Sequence, residues 1–88
     1  MKITVFKKAG CDVCDKFEES IRHLVEKSNK SSQVEFVIIF TDEPDGLVAF
    51  ADSDFGTLPS ALIETDTTTE RWDGKADWSQ LKNLLSTL

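Results

Sequence analysis

Hydrophobic positions along the chain change their spacing in an order that sketches a fold. Ile3-Thr4-Val5-Phe6 is a short β-branched and aromatic run and predicts a first strand, followed by a loop at Lys7-Lys8-Ala9-Gly10. Phe17, Ile21, Leu24 and Val25 then recur at helical spacing, so residues 12–28 predict an amphipathic helix. The polar run Ser28-Asn29-Lys30-Ser31-Ser32 is a connector. Beyond it, Val34-Glu35-Phe36-Val37-Ile38-Ile39-Phe40 is apolar enough to predict a strand buried on both faces. It is expected to lie parallel to the first strand, with the helix as crossover.

In the second half, Thr41 or Asp42 can cap a short helix that has Pro44 in its first turn. Leu47, Val48, Phe50 and Ala51 supply its buried side. Gly56-Thr57-Leu58-Pro59 breaks the chain before a strand at Ser60-Ala61-Leu62-Ile63-Glu64. The polar turn Thr65-Asp66-Thr67 joins that strand to Thr68-Thr69-Glu70-Arg71-Trp72 as an antiparallel hairpin. Gly74 ends the hairpin, Ala76 or Asp77 opens a last helix, and Trp78, Leu81, Leu84 and Leu85 line its apolar face. The expected class is α/β, in the order β-α-β-α-β-β-α: a four-stranded mixed sheet flanked by three helices. No internal repeat or low-complexity tract interrupts it.

The 88 residues, 40% of them hydrophobic, allow one domain over 1–88 with one modest core. No stretch approaches the roughly 18 apolar residues of a membrane span, and the N-terminus lacks a secretory pattern, so a soluble cytoplasmic protein is expected. The net charge of -6 argues against nucleic acid, whose phosphates demand a basic face. Expected partners are proteins or small thiols, met as a monomer, with no membrane contact.

The only cysteines, Cys11 and Cys14, flank Asp12-Val13 at the predicted helix start. Stabilisation by a crosslink grows with the loop it closes, and this loop is tiny, so a structural staple is a poor explanation for the pair. Two buried small hydrophobes or half a zinc site are the plain alternatives, but two Cys and one His cannot complete a set of four soft ligands. Redox chemistry is the stronger reading. Cys11, at or before the helix start where backbone N–H groups converge, is the expected nucleophile, and Cys14 the resolving thiol. Lys7, Lys8 and the helix dipole favour a thiolate there, whereas Asp12 and Asp15 oppose it and push the couple toward reducing potentials. His23 reads as a surface residue, Trp78 as core, and Phe17 and Phe36 as packing between helix and sheet. Trp72 either packs in the hairpin or forms an exposed rim for partners.

The element order, with Cys-x-x-Cys after the first strand and a proline before the third, resembles the thioredoxin fold, and within it most resembles the small glutaredoxins. Lys8-Ala9-Gly10-Cys11-Asp12-Val13-Cys14 is similar to the glutaredoxin pattern of a lysine three residues before the first cysteine. Thr57-Leu58-Pro59 resembles the Thr-Val-Pro segment whose proline is cis in that family. Trp72-Asp73-Gly74, followed by Asp77, is similar to the Trp-Ser-Gly segment of glutaredoxin-like redoxins that reduce ribonucleotide reductase. The resemblance implies a thiol–disulfide oxidoreductase with Cys11 and Cys14 catalytic. Lys8, Thr57, Leu58, Pro59, Gly74 and Asp77 would bind substrate, with the Leu58 backbone turned toward Cys11 to pair with it. It implies no bound cofactor or metal, a disulfide-containing protein substrate, and either glutathione or a thioredoxin-reductase-type enzyme as electron donor. The chain departs from the family in having Asp12-Val13 between its cysteines instead of Pro-Tyr. It also keeps only half of the Gly-Gly and Asp-Asp elements, as Gly74 and Asp77. Two other functions compete: a redox-sensing protein-binding module without turnover, and an iron–sulfur carrier, against which Cys14 argues.

Overall fold

A strand can bury nearly every side chain only if both its faces and both its edges are covered, and β1 (Lys2–Lys7) does so from Ile3 onward. In the computed structural model, which describes residues 1–88, it is followed by α1 (Asp12–Lys27) and a 3₁₀ turn at Ser31–Gln33. The remaining elements are β2 (Glu35–Phe40), α2 (Pro44–Asp52), β3 (Ser60–Glu64), β4 (Thr69–Asp73) and α3 (Trp78–Ser86). The sheet order is β2-β1-β3-β4. Strands β1 and β2 run parallel, with Ile3 beside Phe36 and Val5 beside Ile38, across the α1 crossover. Strands β3 and β4 add on antiparallel, with Val5 beside Ala61 and Ala61 beside Trp72. The α/β class and element order expected from the sequence are the observed ones.

The alternation of β1 divides the core. Ile3 and Val5 face α1 and α3, meeting Phe17, Ile21, Val25, Leu81 and Leu85 in one apolar cluster with Ala61, Ile63 and Trp72. Phe6 faces the other way. Its ring lies 5.7 Å from Phe50 of α2 and 5.5 Å from Phe55.

Four expectations are corrected. Lys7 belongs to β1, not to the loop after it, and is buried. Strand β2 is not buried on both faces: as an edge strand it leaves Phe36, Val37, Ile38 and Ile39 half-buried and Glu35 and Phe40 exposed. The N-cap position of α2 is Glu43, whose side chain makes no capping hydrogen bond, with Pro44 at the first helical position, while Asp42 accepts a hydrogen bond from the Ala9 amide instead. Its inward side is not Leu47, Val48 and Ala51, of which Leu47 is 57% and Val48 60% exposed. Gly46 and Phe50 face inward, because the helix approaches β2 so closely at Gly46 that only a residue without a side chain fits.

That approach generates a test. A Cβ on Gly46 would collide with the Phe40 backbone carbonyl, which already accepts the Glu43 amide at 3.2 Å. Alanine would gain about 1 kcal/mol in helix propensity, yet overpacking against backbone costs about 1–3 kcal/mol and more where nothing can yield. Gly46→Ala should therefore lower the urea midpoint, and an unchanged or raised midpoint would contradict the close approach.

Candidate redox site

The loop from β1 into α1 turns at Gly10, whose φ of +73° is open to glycine but strained for other residues. Cys11 follows in extended conformation (φ -96°, ψ 103°) and is the N-cap of α1. Its Sγ accepts a hydrogen bond from the Cys14 amide at 3.1 Å, so sulfur takes the place of the usual capping oxygen. The Cα atoms of Cys11 and Cys14 are 5.2 Å apart, within disulfide reach, and the two are joined as a disulfide. Cys14 is fully buried on the same helix face as Phe17, Ile21 and Val25, whereas Cys11 is half-buried and Val13 between them is 68% exposed.

Beside this turn lies a cluster of charges that the sequence pattern did not reveal. Lys7 Nζ donates to Asp15 Oδ1 at 2.6 Å and to Glu18 Oε1 at 2.8 Å, and Arg22 Nε donates to Glu18 Oε2 at 2.8 Å. Hydrogen bonds from its ammonium to Asp15 and Glu18 raise the Lys7 pKa above its ordinary 10.5, outweighing the opposing effect of burial. Burial pushes the Glu18 carboxyl up, but the hydrogen bonds from Lys7 and Arg22 outweigh it and bring the value below 4.5. The expected contest of Lys7 against Asp15 over the Cys11 thiolate is thus replaced by a pairing between them. Lys8 and Asp12 are exposed and make no ion pair, and with the α1 dipole they are the charges left near Cys11 in the chain.

A second group of predicted residues gathers at the loop before β3. The Leu58–Pro59 peptide bond is cis, as the resemblance implied. Asp73, at the end of β4, accepts hydrogen bonds from the Thr57 amide at 2.9 Å and the Gly56 amide at 3.2 Å. Gly74, with φ +76°, sits against the Thr57 side chain, and a Cβ there would approach Thr57 Cγ2 to 2.8 Å. Thr57, Leu58, Pro59 and Gly74 therefore belong to one neighbourhood, clamped by the Asp73 carboxylate.

Asp77 is committed elsewhere, as the N-cap of α3, accepting from the Gln80 amide at 3.1 Å. It lines an open cleft of about 580 Å³ with Trp72, Asp73, Lys75 and Trp78, to which Lys8, Thr57 and Leu58 do not contribute. Trp72 is buried and packs in the hairpin core, the first of its two readings. Trp78 corrects the expectation of a core residue. It is 41% exposed, because its place at the first turn of α3 leaves one face in water, with the other on Trp72 at 5.5 Å and Phe17 at 6.4 Å. His23 is exposed, Phe17 is buried between helix and sheet, and Phe36 packs against the core with Arg22 over its ring at 4.5 Å. No group of three or more His, Cys, Asp or Glu side chains is placed to hold a metal, and no helix is long and apolar enough to cross a membrane.

No protein-family model and no curated protein sequence matches this chain. Solved structures do. Thioredoxin 1 of the thermophilic eubacterium Thermosipho africanus matches with a TM-score of 0.72 and 20% identity, over 99% of this chain and 92% of its own. Oxidised thioredoxins O2 and O1 of Arabidopsis thaliana match with TM-scores of 0.72 and 0.70 at 18% and 20% identity. Both matches cover 99% of this chain, and 73% and 76% of theirs. The chain has the thioredoxin fold. The narrower likeness to glutaredoxins rests on the sequence motifs, since the neighbours named here are thioredoxins. Within the thioredoxin fold, Cys11 and Cys14 occupy the first turn of the helix that follows the central strand.

The charge cluster yields a pH-dependent stability. Because the folded-state value of Glu18 is lowered, its contribution is present above 4.5 and is lost as pH falls through the folded-state value. Lys7 is raised, so its contribution is present below 10.5 and is lost as pH rises through its folded-state value. Glu18→Gln should cost about 1.5–3 kcal/mol near neutral pH, as charge-assisted hydrogen bonds do. The gap to wild type in urea unfolding should close below pH 4.5; a gap independent of pH would show that Glu18 acts through shape alone.

Proposed function

We propose that this protein is a thiol–disulfide oxidoreductase that reduces protein or small-molecule disulfides through the Cys11/Cys14 dithiol. The observation that carries the reading is Cys11 as N-cap of α1, bonded to a Cys14 that has no exposed surface. A thiolate on Cys11 gains the amide hydrogen bond of Cys14 and the positive end of the α1 dipole, which together favour the charged form.

In the forward direction, the Cys11 thiolate attacks one sulfur of a substrate disulfide. An S–S bond forms between Cys11 and that sulfur, and the other substrate sulfur leaves as a thiolate that takes a proton. Cys14, deprotonated, then attacks the Cys11 sulfur, forming the Cys11–Cys14 disulfide and releasing the second substrate sulfur as a thiol. Two electrons pass from the dithiol to the substrate. The half-exposed position of Cys11 suits the first attack, and burial of Cys14 suits an attack made only inside the mixed disulfide. Lys8, Thr57, Leu58, Pro59 and Gly74 are the proposed substrate contacts.

Return to the dithiol needs a two-electron donor, either two glutathiones or a thioredoxin-reductase-type enzyme; the reading is of a reductant in a reducing, cytoplasmic setting. The reductase is favoured. Glutathione carries two carboxylates, and of its proposed partners Lys8 is the only free cation, while Asp77 is already the α3 cap and lines a cleft that Lys8 does not enter. The exposed Val13 and Trp78 offer the apolar contact that a protein partner uses.

Three measurements check this. In the reduced protein, alkylation near neutral pH should label Cys11 far faster than Cys14; preferential labelling of Cys14 overturns the assignment. Cys11→Ser should abolish reduction of a generic disulfide and Cys14→Ser should accumulate mixed disulfide, whereas a wild-type protein without turnover would leave only a redox-sensing role. A thioredoxin-reductase-type enzyme should reduce the oxidised protein faster than millimolar glutathione, and rapid glutathione-coupled turnover without reductase activity would reverse that order.

A further inference from the structure

Residues 55–59, the approach to β3, make no backbone–backbone hydrogen bond. Phe55 anchors the start of this stretch through its ring, which packs on Phe6 at 5.5 Å and lies under the Arg71 guanidinium at 4.4 Å. The hydrogen bonds that hold the loop all come from two side chains of β4. Arg71 donates to the Ser53 carbonyl at the end of α2, and the Asp73 carboxylate accepts from the Gly56 amide at 3.2 Å and the Thr57 amide at 2.9 Å. Two residues apart on a strand, Arg71 and Asp73 project from the same face of it. Within 55–59, the bonds to Asp73 are the only hydrogen bonds.

The register places this clamp at the cysteine end of the sheet. Phe6 lies beside Ser60 and Ser60 beside Asp73, so the chain leaving β1 toward Cys11, the chain entering β3 from Pro59 and the end of β4 share one end. Leu58 follows directly on the clamped amides. It is half-buried, and its own amide and carbonyl have no partner in the fold, which leaves them free to pair with an extended chain.

We propose that Asp73 is the positioning residue of this loop, and that by holding the Gly56 and Thr57 amides it gives the site a preference for extended peptide disulfides over small ones. The inference rests on the oxidoreductase reading with Leu58 as a substrate contact. A peptide bound by backbone pairing keeps only the binding energy left after the loop has been ordered, so a loop fixed beforehand binds it more tightly. A small disulfide without flanking backbone makes no such bonds and draws nothing from the clamp. A carboxylate suits the task because both its oxygens accept, and two successive N–H groups converge on it. Arg71 and Phe55 hold the loop on the α2 side of Gly56, so removing the Asp73 carboxylate frees residues 56–58 without releasing the core.

The test compares two substrates on wild type, Asp73→Ala and Asp73→Asn: hydroxyethyl disulfide, and an extended peptide whose single cysteine is disulfide-bonded to mercaptoethanol. Asp73→Ala should raise KM for the peptide at least about tenfold with kcat within about twofold, because what is lost is binding. Its kcat/KM for hydroxyethyl disulfide should change less than about twofold, which a loss of Cys11 reactivity or of fold would not allow. Asp73→Asn keeps one acceptor oxygen and should lie between wild type and Asp73→Ala on the peptide. It carries the same comparison if the alanine variant does not fold. By amide exchange, Gly56 and Thr57 should lose protection in Asp73→Ala while the β1 amides keep theirs. An unchanged peptide KM overturns the proposal, and so does an equal loss on both substrates, which would make Asp73 a residue of the fold alone. Either result leaves the oxidoreductase reading standing. A wild type that turns over neither disulfide removes that reading, and this proposal with it.

Discussion

One ammonium taken out of water ties the redox turn to the sheet. Lys7 ends β1 in a position only 8% exposed, where an unpaired charge would be prohibitive, and the first two turns of α1 answer it with Asp15 and Glu18. Those carboxylates set the rotation of the helix about its axis, and the same rotation turns Cys14, Phe17, Ile21 and Val25 inward. With Cys14 buried, Cys11 falls at the cap. The charges and the apolar face therefore specify one docking of α1, and the geometry of the cysteine pair follows from it.

Much of this was legible along the chain because it depends on period. The spacing of Phe17, Ile21 and Val25 announces the buried face of α1, and the breakers at Gly56 and Gly74 bracket the hairpin. The N-cap role of Asp77 follows from its residue type ahead of an apolar repeat. What stayed hidden depends on contacts between distant segments. Lys7 reads as the start of a polar loop until Glu18, two helical turns on, is brought against it. The apolar run of β2 reads as a central strand, since hydrophobicity reports how little water a residue prefers and not whether a neighbour exists to exclude it. In α2, Leu47 and Val48 look like the inner face by hydrophobicity, yet the closeness of the strand reserves that side for Gly46. Asp73 had no visible purpose, because the amides it accepts from, at Gly56 and Thr57, lie on the far side of a hairpin.

The same lesson separates fold from chemistry at the site. Cys11 and Cys14 hold the first turn of α1, Thr57 and Pro59 the loop before β3 and Gly74 the residue after β4, and Asp73 holds the loop that carries Thr57 to the end of β4. Asp77 caps the backbone of α3, and a residue used as a cap has less freedom to recognise a ligand.

The central place of β1 also governs the order in which the molecule can be assembled during synthesis. Its parallel neighbour β2 follows within the first half of the chain, so β1, α1 and β2 form a unit whose contacts are comparatively local. The antiparallel neighbour is β3, where Lys2 meets Glu64 and Phe6 meets Ser60, and the last cover on that core, Leu81 and Leu85, comes at the C-terminal end. A nascent chain thus presents half a sheet long before the segments that complete it leave the ribosome, and during that interval the β1 edge awaiting β3 is open to any other strand.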